Sequence, residues 1–454
     1  MSFQVINPAT GEMVKEIPVW DEATVEAALS QVAEATPAWA STPIAERCAL
    51  MHKAAQVLRD NKDKYARIIT TEMGKLITDA RAEVEKCALV CDYYAEHGPA
   101  FLQDELISSD AGKSFVAYLP LGTVLAVMPW NFPFWQAFRF AIPALVAGNT
   151  GLLKHASNVP ESALAIEAVF REAGFPPGVF RTLMIRASQV QKVIEDPRVQ
   201  AVTLTGSEPA GRQVAATAGA NLKKSVLELG GSDAFIVLED ADLDETVKVA
   251  VTSRFLNTGQ SCIAAKRFIV VDAIAEDFVT RFKAGAEVLQ PGDPLDEATT
   301  LAPMARTDLR DELHQQVRDS IAAGAVPVTG CEPVEGAGAY YPPSILDRVE
   351  PGMRAYGEEL FGPVAIVIHA RDENDALRIA NDSPYGLGGS IWTRDTARGE
   401  RLARQMQSGA TFINGLVKSD PRLPFGGVKN SGYGRELSHH GIHEFVNAKT
   451  IWIK

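Results

Sequence analysis

Three side chains in this sequence are of the types that form and resolve a covalent acyl intermediate. Cys262 lies in LNTGQSCIAAKR. The small residues Gly259 and Ser261 let the backbone turn tightly and present the thiol at a helix end. A thiol is only a few per cent ionised near neutrality, yet it is intrinsically very nucleophilic. A lone cysteine is ordinarily a packing residue, so the company it keeps decides. Glu228, in VLELGGSDAFIVL, follows an apolar strand and precedes Gly230 and Gly231. That is the carboxyl end of a strand, where ligands bind in open α/β sheets. A carboxylate there serves as a general base if burial brings its pKa toward the working pH, and otherwise is a solvated loop residue. Asn131, in MPWNFPFWQAF, sits among aromatic residues. Burying its amide is costly unless something accepts its hydrogen bonds, and an oxyanion formed beside a thiolate is such an acceptor.

Arg139, in FWQAFRFAIPAL, lies on a helix that is otherwise apolar all round. A guanidinium there needs an anion, either an internal carboxylate that it braces or the carboxylate of a substrate that it clamps. For a nucleotide the signal is indirect. There is no G-x-G-x-x-G, and Gly206 to Gly211 is followed by Arg212 and Gln213 rather than by Lys-Ser/Thr, which excludes a Walker phosphate loop. Even so, TLTGS ends a strand and PAGRQVAATAG starts a helix whose free N–H groups suit a pyrophosphate.

The elements that must position these groups alternate. Strands are expected at 124–128, 150–154, 201–205 and 225–227, with helices at 135–147, 161–173 and 209–219 between them. A second series follows: strand 234–238, helix 243–256, strand 267–271, helix 274–289, and onward to 410–414. The fold class is α/β, and two doubly wound domains with parallel sheets fit better than one. Upstream, Asp21 can cap a helix with Val25, Ala28, Leu29 and Val32 on one face, and helical stretches follow at 44–60, 62–74 and 76–103. The segment 113–126 reads as strands joined by a turn at Pro120-Leu121-Gly122, and the tail from Glu444 to Lys454 reads as a strand in need of an edge.

With 454 residues, 46% hydrophobic and 22% charged, the chain can hold two or three domains. A net charge of −13 without a segregated basic patch argues against nucleic acid. No apolar run is long enough to span a bilayer, and MSFQVINPATGE lacks both a signal peptide's apolar core and a transit peptide's arginines, so the cytoplasm is the expected location. Five cysteines are too few and too scattered for a disulfide framework, and Cys87 with Cys91 reads as core filling rather than a metal site.

PWNFP, LELGGSD, NTGQSC, EELFGPV and PFGGVKNSGYGRE stand in the order and approximate spacing of the aldehyde dehydrogenase superfamily, which the chain resembles along nearly its whole length. Within it, the sequence looks most like the bacterial succinate-semialdehyde dehydrogenases. The resemblance implies that Cys262 is the nucleophile, Glu228 the base for the deacylating water, and Asn131 with the Cys262 N–H the oxyanion hole. It places Trp130, Gly206, Ser207 and Leu229 beside the cofactor, Lys154 at the adenosine ribose, and Glu359 and Phe361 at the nicotinamide ribose and ring. Where NAD-specific relatives carry a glutamate, this chain has the small neutral Ser157, so NADP is expected to be preferred over NAD. Semialdehyde enzymes of the family carry an arginine matching Arg139 and a serine matching Ser419. A second arginine found six residues before the nucleophile in such relatives is Leu256 here, with Lys418 or Arg422 as conceivable substitutes. The relatives' proline after the lysine is His155, which reads as structural. The resemblance divides the chain into a cofactor-binding domain (1–104 and 124–228), a catalytic domain (229–420) and a bridging β element (105–123 and 433–454). The exposed edges of that element imply a homodimer or homotetramer. No metal is expected. A CoA-acylating enzyme, a cysteine hydrolase and a non-catalytic role are the alternatives, the hydrolase lacking a histidine in a nucleophile-like motif.

Overall fold

The computed structural model describes residues 1–454. The alternating elements assemble into two large sheets. The first has six strands in the order Gly432–Tyr433, Lys224–Glu228, Val199–Thr205, Thr123–Met128, Thr150–His155 and Phe180–Thr182. All its pairs are parallel except Gly432–Tyr433, which runs antiparallel along Lys224–Glu228. The second has seven, Val326–Thr329, Ser344–Asp347, Val364–Ala370, Ala265–Val271, Asp233–Val237, Gly389–Trp392 and Phe412–Ile413. Only Val326–Thr329, at its edge, is antiparallel. Every residue of Asp233–Val237 and Ala265–Val271 is buried, as expected where helices cover both faces of a parallel sheet.

In the first sheet the chain order reverses between Thr123–Met128 and Val199–Thr205, which are direct neighbours. A crevice opens at the carboxyl ends of strands at such a point. The loops that leave these two strands carry Trp130 with Asn131, and Gly206 with Ser207, so the topology brings four of the candidate residues to one rim.

The expected elements recur with shifts of one or two residues at most ends. Asp21 caps helix Glu22–Ser41, its carboxylate accepting from the Thr24 N–H at 2.8 Å. Cys87 and Cys91 are fully buried in helix Ile77–Phe101. Lys113–Pro120 and Thr123–Met128, two residues apart, belong to different sheets, since Gly122 at φ +127° turns the chain out of one and into the other. Lys113–Pro120 instead pairs antiparallel with Val446–Ile453 on one side and Glu105–Leu106 on the other. Not foreseen was an N-terminal antiparallel pair, Ser2–Ile6 with Met13–Pro18. No helix is long and apolar enough to cross a membrane.

Candidate active site

The backbone before Cys262 is unusual. Asn257, Thr258 and Gly259 are all left-handed, with φ of +53°, +56° and +70°. Consecutive residues in that region persist only where the surroundings over-determine them. Here the Asn257 amide donates to the carbonyls of Asn131 and Gln260, each at 3.0 Å, and the Thr258 hydroxyl donates to the Ala302 carbonyl at 3.0 Å. The Gln260 side chain accepts from the Ala305 N–H at 2.9 Å. Buried Arg254 gathers the carbonyls of Gly259, Leu360, Gly362 and Ala265. After the turn, Lys266 Nζ donates to the carbonyls of Ser261 and Cys262, both at 2.9 Å, and pairs with Glu359 at 3.2 Å. Cys262 is thus held by a loop with many side-chain to backbone hydrogen bonds, while its own N–H donates to no protein acceptor.

Asn131 is buried next to this loop and donates one amide hydrogen to the Gln260 carbonyl at 3.1 Å. Its second hydrogen is free for another acceptor. The loop carrying it runs into helix Pro133–Val146, whose first N–H groups, those of Phe134 and Trp135, are capped by the buried Glu83 carboxylate at 2.9 and 3.0 Å. Glu83 is in turn ion-paired with buried Lys75. His155 ties the neighbouring strand end to the same loop, Nε2 meeting the Pro133 carbonyl at 2.9 Å and Nδ1 the Ala156 N–H at 2.8 Å. Those partners assign the proton to Nε2. Burial holds its pKa down at about 4, so the ring is neutral and structural.

Glu228 ends its strand 2% exposed, and neither carboxylate oxygen has a hydrogen-bond partner. Burial raises its pKa well above the ordinary range; nearby Glu436 adds to this, and Arg139 opposes it. Burial likewise pushes the Cys262 thiol up to about 12, with Arg139 and Lys266 offsetting part of the shift and Glu359 and Glu228 adding to it. Both shifts favour the protonated forms of Glu228 and Cys262 in the free protein.

Cys262 lines a pocket of about 650 Å³, open mouth included, with Trp135, Arg139, Leu256, Ser419 and Phe425. Arg139 is 1% exposed, and its guanidinium lies 4.5 Å from the Phe425 ring centroid. Its Nε contacts a Glu436 carboxylate oxygen as an ion pair, without the alignment of a hydrogen bond, and Nη2 donates to Thr205 at 3.4 Å. Arg139 therefore borders the pocket while it pairs with an internal carboxylate. Leu256 leaves the pocket without a second arginine. Arg422 is taken by Asp420 at 2.6 Å with its side chain 74% exposed, and Lys418 is exposed at the mouth.

A nucleotide fits the rim of the first sheet. Ser207 precedes helix Glu208–Ala220 without capping it through its side chain, which leaves first-turn N–H groups available. Gly211 packs so tightly on Leu229 that a Cβ would overlap its side chain, drawing helix and strand end together. Lys154 is buried with no carboxylate paired to it, and burial lowers its pKa. Ser157, just beyond it, is exposed. Trp130 and Phe361 stand edge to face at 5.8 Å, and Glu359 accepts from the Gly231 N–H at 3.1 Å.

Two groups at the site were not singled out in the sequence. Glu436 sits inside the GYGRE segment, and the pairing of Gly432 with Glu228 brings it near the Glu228 carboxyl group. Lys86, on helix Ile77–Phe101, lines the pocket and donates to the Ser419 hydroxyl at 2.7 Å. Nothing local in the sequence marks it.

The chain matches the model of the aldehyde dehydrogenase family over residues 1–451. It is 51% identical to the probable NADP(+) succinate-semialdehyde dehydrogenase of Synechocystis over 453 residues, covering 100% of both chains. It is 51% identical to the NAD(P)+ succinate semialdehyde dehydrogenase Sad of Escherichia coli K12, covering 98% of this chain and 97% of that one. Among solved structures, it superimposes on succinic semialdehyde dehydrogenase from Streptococcus pyogenes in complex with NADP+ with a TM-score of 0.98, at 40% identity and 99% coverage of both chains. With a matching family model across the chain and relatives at half identity over their full length, this protein belongs to the aldehyde dehydrogenase family.

Proposed function

We propose that the protein oxidises succinate semialdehyde to succinate with NADP as the preferred acceptor and NAD as a poorer one. The observation that carries this is the pocket itself, in which Cys262 shares a cavity with Ser419 and the cationic side chains Arg139 and Lys86. An aldehyde bearing a distal carboxylate matches that lining, and the half-identical relatives named for this substrate support the choice.

In this reading Cys262 gives up its thiol proton to solvent and adds as the thiolate to the aldehyde carbon. The resulting thiohemiacetal oxyanion is received by the free Asn131 amide hydrogen and the Cys262 N–H. Losing one such donor typically costs about 10²–10³ in rate. Bound oxidised nicotinamide supplies the hydride acceptor that lets this adduct become a thioester. Glu228, in its ionised form, then takes a proton from water, whose oxygen attacks the thioester carbon and releases Cys262. Lys154 and Ser157 would meet the adenosine ribose and its 2′-phosphate, with no carboxylate at Ser157 to repel it. Gly206, Ser207 and Leu229 would border the pyrophosphate side, with Trp130, Glu359 and Phe361 toward the nicotinamide.

Residues 1–104 with 124–228 would form the cofactor domain, 229–420 the catalytic domain, and 105–123 with 433–454 the bridge. Strand Val446–Ile453 is the outer strand of its sheet, with Trp452 and Ile453 about half exposed, which supports pairing with a second copy as a homodimer or homotetramer. The test is a panel: reduced-cofactor absorbance with succinate semialdehyde, glutarate semialdehyde and butanal, each with NADP and NAD. Highest kcat/KM for succinate semialdehyde with NADP is expected. Equal efficiency on all three aldehydes would overturn the substrate assignment.

A further inference from the structure

Lys266 stands directly behind the nucleophile loop. It is the second residue of strand Ala265–Val271, and there the register against Asp233–Val237 slips. Asp233 faces Ala265 and Ala234 faces Arg267, which leaves Lys266 as an extra residue. Bulges of this kind re-aim a side chain and recur beside active sites. This one turns Lys266 back beneath the loop that precedes its own strand. The side chain is 1% exposed and does not line the cavity, whereas Ser261 and Cys262 do. A cationic side chain is costly to bury unless partners surround it. The Ser261 and Cys262 carbonyls accept from its Nζ, both at 2.9 Å, and Glu359 Oε1 pairs with it at 3.2 Å.

Holding a carbonyl fixes more than an oxygen. The Ser261 C=O and the Cys262 N–H belong to one planar peptide unit. In a trans unit, as all are in this chain, the two point in opposite directions. Drawing the Ser261 oxygen back onto Nζ therefore turns the Cys262 N–H away from Lys266, to the side on which the cavity lies. The same Nζ fixes the next unit through the Cys262 carbonyl, and Gly231 backs that oxygen so closely that a Cβ there would lie 2.7 Å from it. So oriented, the Cys262 N–H meets no protein acceptor. A positive charge on the oxygen of a peptide unit also polarises it, which strengthens its N–H as a donor.

We propose that Lys266 is a positioning residue for the oxyanion hole: by binding the Ser261 carbonyl it aims and polarises the Cys262 N–H. This rests on the reading above in which Asn131 and that N–H receive the oxyanion, and extends it to a side chain that touches neither substrate nor reacting atoms. The ion pair with Glu359 supplies a counter-charge without drawing Nζ off the carbonyls.

The test compares two reactions of Cys262 in the cofactor-free enzyme. In acylation by p-nitrophenyl acetate, sulfur adds to the carbonyl carbon, the C=O electron pair moves onto oxygen, and collapse of that oxyanion expels p-nitrophenolate. In alkylation by iodoacetamide, sulfur displaces iodide from a saturated carbon and no oxyanion forms. Both consume the thiolate, so the ratio of their rate constants cancels any change in its population. Neither involves the cofactor, so a displaced Glu359 does not enter. Lys266→Met should lower the ratio of acylation to alkylation at least about tenfold, and Asn131→Ala, which deletes a donor outright, by about 10²–10³. A lysine that only stabilised the loop would slow both reactions together when removed and leave the ratio where it was. A smaller fall in Lys266→Met beside the full fall in Asn131→Ala would overturn the assignment of Lys266 alone. A ratio unmoved by Asn131→Ala would overturn the oxyanion-hole reading beneath it. Should Lys266→Met fail to fold, Lys266→Met with Glu359→Gln, which removes both charges of the pair, is held to the same expectation.

Discussion

Replacing Arg139 by methionine separates its role as brace from a role as clamp. In the structure the guanidinium is wholly buried, paired with Glu436 and stacked on Phe425. Removing one partner of a buried pair costs roughly 3–5 kcal/mol, because the other charge is left without compensation. With an unfolding entropy near 2.1 cal/mol/K per residue, a cooperative melt of this chain would fall by about 3–5 °C. The deficit should depend on pH. Burial already raises the pKa of Glu436, and Arg139 holds it down. Without Arg139 the folded-state pKa climbs further above its unfolded value. The folded variant then binds more protons than the unfolded chain, so its stability falls as pH rises between those two values. Arg139 also lowers the pKa of Glu228, so the limb of the pH–rate profile that reports the base should move to higher pH for charged and uncharged aldehydes alike. Arg139→Met with Glu436→Met should recover much of the stability, since a buried pair replaced by apolar residues is often neutral. Differential scanning calorimetry across pH, with kcat/KM for succinate semialdehyde and butanal, reads all of this. A variant that melts like wild type and loses only the charged substrate would refute the brace.

Two further outcomes follow from the site. Ser157→Glu should lower the NADP to NAD ratio of kcat/KM by at least about tenfold, the like-charge repulsion being reduced by solvent at this exposed turn. An unchanged ratio removes Ser157 as the determinant. Iodoacetamide should alkylate Cys262 in the cofactor-free enzyme at a rate that climbs steadily from about pH 7 to about pH 9.5, because only the thiolate reacts. A plateau within that range, followed by peptide mass spectrometry, would show that the thiol is not held near 12 by burial.

Much of the fold could be read from the sequence because its parallel strands are short apolar runs between amphipathic helices, and each such signal is local. Cys262, Glu228 and Asn131 stand out in the sequence as candidates for a related reason: each is a chemically expensive residue in a conspicuous setting. The remainder depends on long-range pairing. Glu436 lies 208 residues after Glu228, and only the antiparallel contact of Gly432–Tyr433 with Lys224–Glu228 brings them together. Lys86 is one lysine among several on a helix, and no periodicity tells that its neighbour in space is Ser419, 333 positions away. The same distance dependence left Arg139 open between two anions until Glu436 was located. The shift from one sheet to another at Gly122 was equally hidden, since a turn residue does not reveal which partner the next strand takes.

The central claim, that a Cys262 thioester is formed by aldehyde oxidation and resolved by Glu228, is tested most directly by trapping it. Glu228→Gln keeps the shape of the side chain but cannot accept a proton, so turnover should fall by about 10²–10⁴ while acylation continues. Mixed with NADP and succinate semialdehyde, this variant should release one equivalent of NADPH per site in a burst and accumulate a succinyl group on Cys262, visible by intact and peptide mass spectrometry. NADPH formed at the full steady-state rate, or a burst with Cys262 unmodified, would contradict it.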